Sequence, residues 1–166
     1  MKIRLLTPID AAAFQALRLQ GLVECPSAFA SSVEEERDTP LATVAGRLEP
    51  KDDRALFGAF DAQALVGVVG LQREGMRKLA HKAFVWGMYV APQARRAGLG
   101  RELVAAALAF ASNRLGVRQV SLGVNANNVA AIALYRSMGF EPFGLERGFM
   151  LLNGELHDEV HMVRAL

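Results

Sequence analysis

Apolar positions in this chain fall into short blocks whose spacing switches from helical to alternating and back. Lys2 to Leu6 reads as a short strand, and Thr7 and Asp10 bracket Pro8 as cap chemistry for a helix running to about Glu24. Phe14, Leu17, Leu22 and the alanines between them supply its apolar face. Cys25 to Ser32 looks like a loop anchored by Phe29, and a charged segment, Glu34 to Asp38, leads through Pro40 into a weak helix over Leu41 to Leu48. The pattern then changes period. Arg54 to Phe60 and Ala64 to Gln72 read as strands turning at Asp61-Ala62-Gln63, with Lys82 to Val90 a third.

Gly98 to Leu115 is strongly helical, with Leu99, Leu103, Ala107 and Phe110 on one face and Gly116 as its stop. Arg118 to Val124 reads as a strand, Asn128 to Met138 as a helix, and Gly139 as its left-handed terminator. Phe140 to Leu152 and Glu155 to Val163 close the chain as strands joined at Asn153-Gly154, a strong hairpin signal. The order β-α-α-β-β-β-α-β-α-β-β predicts one mixed α/β (α+β) domain over 1–166, its sheet largely antiparallel with helices on its faces.

Composition narrows the function. At 166 residues and 52% hydrophobic, the chain can bury a core and host a cleft without staples, and it is too apolar for disorder. Mean hydropathy is +0.19, yet the longest clean apolar run, Leu103 to Ala111, is half the roughly 20 residues a spanning helix needs. No membrane partner is expected. Nineteen Lys+Arg against seventeen Asp+Glu leave a charge of +2, and no basic run suggests nucleic acid. Cys25 is the only cysteine, so an internal disulfide and a cysteine-rich metal site are excluded. The opening MKIRLLTPID lacks the apolar core of a signal peptide, which makes a cytoplasmic location the expectation.

Candidate chemistry begins at Met88-Tyr89-Val90-Ala91-Pro92-Gln93-Ala94-Arg95-Arg96-Ala97-Gly98-Leu99-Gly100-Arg101. A strand ends at Val90 and an arginine-bearing loop turns into a helix at Gly98. Glycines at 98 and 100 let backbone approach a ligand, and the unpaired N–H groups of the first helical turn lie at the positive end of the helix dipole. With Arg95, Arg96 and Arg101 around it, this is physically a pyrophosphate cradle, although a tight turn with solvated arginines would look similar. Position 103 is Leu, so the three-glycine dinucleotide fingerprint is incomplete, and no Gly-Lys-Ser/Thr follows.

The second segment runs Leu122-Gly123-Val124-Asn125-Ala126-Asn127-Asn128, then Ala131, Leu134-Tyr135 and Gly139-Phe140. Together the two segments resemble the GNAT superfamily of acyl-CoA-dependent N-acetyltransferases. Arg95-x-x-Gly98-x-Gly100 matches the family's Arg/Gln-x-x-Gly-x-Gly signature, and Asn128 to Phe140 matches Asn-x-x-Ala-x-x-Leu-Tyr-x-x-x-Gly-Phe without a gap. The closing Asp158-Glu159-Val160-His161-Met162 also looks like an ending strand of bacterial members.

The resemblance implies two parallel strands, ending at Val90 and Val124, that splay at a bulge to admit the pantetheine of acetyl-CoA. It implies a backbone N–H of Met88 on the acetyl carbonyl, where it can stabilise an oxyanion. Val90 backbone would pair with a pantetheine amide, and the amides of Arg96, Ala97, Gly98, Leu99, Gly100 and Arg101 would wrap the pyrophosphate. Asn128 would bond the cofactor arm, and Tyr135 would protonate the departing thiolate as a general acid. A core tyrosine is the competing reading of Tyr135.

The general base is open. The strand Ala83 to Val90 holds no acid, Phe84 stands where some members of the family carry a Glu, and the alternation predicts Phe84, Trp86 and Met88 as an inward apolar wall. His81, Glu34, Glu35 and Glu74 are weaker candidates. Glu34-Glu35-Glu36 could hold a cationic amine but reads better as a solvated helix cap. Cys25, distant from the motifs in sequence, reads as a small buried thiol. Trp86 and Phe29 could line an acceptor pocket or simply pack.

The expectation is direct transfer from acetyl-CoA to a primary amine in a ternary complex, a small molecule favoured. Protein lysine or N-terminal acetylation and a non-catalytic acyl-CoA-binding module are the alternatives. Family members often dimerise, so a homodimer is a further expectation.

Overall fold

The computed structural model describes residues 1–166. Seven strands form one sheet in the order β1-β2-β3-β4-β5-β7-β6. They are β1 (Lys2–Leu5), β2 (Arg54–Asp61), β3 (Ala64–Arg73), β4 (Lys82–Val90), β5 (Gln119–Asn125), β6 (Glu141–Leu152) and β7 (Glu155–Ala165). Five helices, α1 (Ala11–Glu24), α2 (Val33–Glu36), α3 (Leu41–Arg47), α4 (Leu99–Phe110) and α5 (Val129–Ser137), complete it. The mixed, largely antiparallel sheet expected from the sequence is borne out. No helix is long and apolar enough to cross a membrane.

One pair is parallel. β4 and β5 register over Lys82↔Gln119, Ala83↔Val120 and Phe84↔Ser121, then part. On the opposite edge of β4 the register with β3 slips: Gly70 faces Trp86 but Val68 faces Tyr89, so Gly87 and Met88 together oppose Val69. This is a β-bulge, and Gly87 makes it with φ of +62°, a conformation that a side chain would strain.

The extra residue breaks alternation, which corrects the expected apolar wall of Phe84, Trp86 and Met88. Val68 and Gly70 point the same way, so their partners Tyr89 and Trp86 share one face. The buried residues of β4 are Ala83, Val85 and Tyr89, while Trp86 is exposed.

Helices cover both faces. On one side the ring of Tyr89 fills the space above Gly21 of α1; on the other, Leu103 of α4 packs on Gly67. Leu103, Val104 and Ala107 are fully buried, as the α4 periodicity requires, and join a core of 37 residues. The helix predicted to Leu115 is α-helical only to Phe110, and Ala111–Leu115 forms a π-helical turn that Gly116 ends at φ of +60°. Asn153 and Gly154 both have positive φ, as a two-residue hairpin turn of that composition requires.

The entry to α1 is held by charge. A 3-10 turn over Pro8–Asp10 precedes the helix, and the buried Asp10 carboxylate takes two parallel bonds from Arg4, at 2.7 and 2.8 Å. Thr7 N–H adds a third at 2.9 Å. The Arg4 hydrogen bonds hold the Asp10 carboxyl down at about 2. A native pKa below the unfolded one contributes stability above about pH 4 and loses it as pH falls toward the native value. Asp10→Asn should therefore lower stability at pH 7 by on the order of 1–2 kcal/mol, tempered by the partly exposed Arg4. Denaturant titrations at pH 7 and pH 2.5 should show that difference shrink in acid.

Candidate active site

A cleft of about 690 Å³ opens where β4 and β5 separate. Strand alternation sets what faces it. Ala91 N–H donates to Val66 of β3, so the backbone groups of Val90 and, two residues earlier, Met88 turn toward the gap. β5 presents Gly123, Val124 and Asn125 from the opposite wall.

The far end of the cleft is a helix N-terminus. Gly98 precedes α4 at φ of +78° with no side-chain cap, so the N–H groups of Leu99, Gly100 and Arg101 lack intrahelical partners. They line the cleft together with Gly98. A helix of 12 residues directs its positive end here.

The floor is α5. Asn128 caps it, its Oδ1 accepting from Ala131 N–H at 3.1 Å, which leaves the side-chain NH₂ to the cleft. Tyr135, one helical face further along, is buried and stacks edge-on with Phe140 at 5.8 Å between ring centroids. The residue lines the cleft, and burial pushes the phenol pKa up to about 12. It is therefore a proton donor rather than a phenolate at neutral pH.

The roof is the segment after α1. Cys25, Ala28 and Phe29 line the cleft, so the thiol that is distant in sequence is half-buried at its wall. Asn125 ties this roof down. It is buried, its Nδ2 donates to Ser27 carbonyl at 3.1 Å, and its Oδ1 accepts from Asn127 N–H at 2.9 Å. Asn125 carries no isolated signal in the sequence, because its partner lies 98 residues away.

Residues 19–140 match the family model for the acetyltransferase (GNAT) family. The chain belongs to the GNAT acetyltransferase family. A mycothiol acetyltransferase of Salinispora arenicola is 37% identical over 118 residues, 68% of this chain but 38% of that protein. The chain thus spans about two fifths of the length of that relative. The N-alpha-acetyltransferase RimI of Mycobacterium tuberculosis is 40% identical over 97 residues, 58% of each chain. The crystal structure of a ribosomal-protein-alanine N-acetyltransferase from Brucella melitensis superposes with a TM-score of 0.81 at 27% identity, covering 100% of both chains.

Within this GNAT chain the cleft gathers Met88, Val90, Arg95, Arg96, Gly98, Leu99, Gly100, Arg101, Asn128 and Tyr135, which the two motifs had singled out. The three arginines do not act alike. Arg95 was expected to add mobile charge around the helix N-terminus. Instead its guanidinium pairs with Glu24 at the end of α1, and its Nε donates to the Val90 carbonyl at 2.8 Å. Glu24 also accepts from the Tyr89 hydroxyl at 2.6 Å, and this bond, with Arg95, lowers its pKa while burial and Glu24 raise that of Tyr89. Arg101 donates to Ser137 on α5 at 2.7 Å. Arg96 alone is exposed without a partner, at φ of +66°.

The acidic triplet is structural. Ser32 and Glu35 form a reciprocal capping box, and Glu36 pairs with Arg18 at 3.0 Å. Phe29 and Trp86 both line the cleft, whereas Glu74 and the exposed His81 do not. No group of three or more His, Cys, Asp or Glu side chains forms a metal site. A second depression of about 740 Å³, near Arg118, Ser137 and Arg164, contains neither Tyr135 nor Met88.

Asn125→Ala removes two part-buried hydrogen bonds to backbone and should cost about 1–3 kcal/mol. Hydrogen exchange across residues 25–32 should quicken by the same mutation while α4 stays protected. Unchanged exchange there would mean that the Ser27 bond does not hold the roof.

Proposed function

We propose that this chain transfers an acetyl group from acetyl-CoA directly to a primary amine of a small molecule. The parting of β4 and β5 at the Gly87 bulge carries this reading, because it bares strand backbone beside an uncapped helix N-terminus. The residues suit the co-substrate. An amide-bearing arm could continue the sheet against Val90 and Met88, and the N–H groups from Arg96 to Arg101 could receive a pyrophosphate. Gly98 leaves the approach open, with no atom within 4 Å of where its Cβ would lie, whereas Gly100 lets Leu134 and Met88 pack close against the helix start.

Acetyl-CoA supplies an activated acyl group on a thiol leaving group. The chain then contributes position and protons. Met88 N–H donates to the acetyl carbonyl oxygen as negative charge builds there. Tyr135, which burial keeps protonated at neutral pH, gives its phenolic proton to the sulfur as the thiolate leaves. Asn128 orients the cofactor arm with the amide NH₂ left over from capping. Cys25 has no part in this direct attack.

A small acceptor is favoured by the roof: the Ser27–Asn125 bond draws the segment after α1 across the cleft mouth. An N-terminal peptide amine is the second reading, favoured by the 40% identity to RimI.

Release of free CoA should be measured with amino acids, polyamines, aminoglycosides and free-N-terminal peptides. At least one small amine should support turnover. Release with peptides alone would favour the second reading, and no release at all would favour a binding module. With the fastest amine, Tyr135→Phe should lower kcat about 100-fold and leave the melting shift caused by acetyl-CoA unchanged. Full activity in that variant would remove Tyr135 as the acid.

A further inference from the structure

The bulged strand offers no base: its cleft residues Val85 to Val90 contain no carboxylate or imidazole. An acid lies against the other strand, β5, from β7. Glu159 on β7 stands in register with Asn125 of β5, and its side chain leans over Gly123. The carboxylate occupies the space a Gly123 Cβ would take, its Cδ 2.6 Å from that position. Any side chain at 123 evicts it. Gly123 itself lines the cleft, so the Glu159 carboxylate packs directly over a cleft-lining glycine of β5.

That carboxylate is underused by the fold. Its side chain is only 17% exposed, yet no protein group donates a hydrogen bond to it. The titratable groups facing it are His161 on its own strand, whose Nδ1 is 3.9 Å away, and Glu146 on β6, whose Oε2 lies 2.8 Å from Nε2 of the same imidazole. A partly exposed carboxylate that no protein group ties down is free to take a proton.

We propose that Glu159 is the general base that takes a proton from the acceptor ammonium, a role that rests on the acetyltransferase reading above. One ammonium proton passes to the Glu159 carboxylate and on to solvent past His161 and Glu146. The freed nitrogen lone pair forms the N–C bond to the acetyl carbon as the C–S bond breaks. The sulfur takes the Tyr135 proton, and the remaining surplus proton on nitrogen restores the phenol through water. The products are the amide, free CoA and one proton released. Burial, partly offset by His161, raises the Glu159 pKa above the ordinary carboxylate value and so brings it nearer to that of an amine.

The test compares wild type, Glu159→Gln and Gly123→Ala. With the fastest amine, Glu159→Gln should lose about 100-fold in kcat/KM at neutral pH, together with the acid limb of its pH profile. Gly123→Ala, whose added methyl pushes the carboxylate aside, should lose activity in parallel. Both should keep the wild-type melting shift with acetyl-CoA. Wild-type kcat/KM or an intact acid limb in Glu159→Gln overturns the proposal. A wild type without CoA release or an acetyl-CoA shift would instead defeat the acetyltransferase reading.

A readout without substrates separates a base from a structural acid. A carboxyl whose native pKa is raised loses stability as pH climbs from the unfolded value through the native one. Glu159→Gln should therefore melt at or above wild type at pH 8. Melting clearly below it would make Glu159 a fold-holding residue and overturn the proposal.

Discussion

Everything at the active site follows from hydrogen bonds that β4 and β5 do not make with each other. Two neighbouring parallel strands pair for three residues and then diverge, pushed out of register by one extra residue at Gly87. Backbone donors and acceptors past Phe84 and Ser121 are left facing a gap, and unpaired polar backbone is costly wherever water is excluded. A ligand with its own amides relieves that cost by acting as the missing strand. The fold then places a helix N-terminus beyond β4 and a capped helix beyond β5, so both ends of the gap carry directed dipoles.

The charge arrangement refines this picture. Net charge is close to zero, and most arginines near the cleft are committed elsewhere: Arg95 to Glu24, Arg101 to Ser137, Arg18 to Glu36. The positive character of this end of the cleft rests more on backbone N–H groups than on mobile cations. Those arginines hold α1, α2 and α5 in place around the site. The same economy applies at β5, where the side chain is missing from Gly123 and the acid arrives from β7.

Much of this was legible in the sequence because local patterns are short-range physics. Continuous apolar runs marked β2 and β3, helical spacing marked α4 and Asn153-Gly154 marked its hairpin. The two motifs marked the start of α4 and Tyr135, which both line the cleft. What stayed hidden depended on contacts between distant residues. The bulge put Tyr89 on the same face as Trp86, although a glycine inside the strand pattern at 87 was a usable warning. Arg95 finds Glu24 across 71 positions and Asn125 finds Ser27 across 98, separations that no periodicity encodes. The pairing of Gly123 with Glu159 appears only once β5 and β7 are in register. A second mid-strand glycine was its one sequence trace.

The central claim, that the parted strands are completed by the co-substrate, is tested most directly by residue-resolved amide hydrogen exchange with and without acetyl-CoA. The account predicts slowed exchange at Met88 and Val90, which face the gap, and at Leu99 to Arg101. Ala91, already bonded to Val66, should change little. Exchange at Met88 and Val90 that acetyl-CoA leaves unaltered would contradict it.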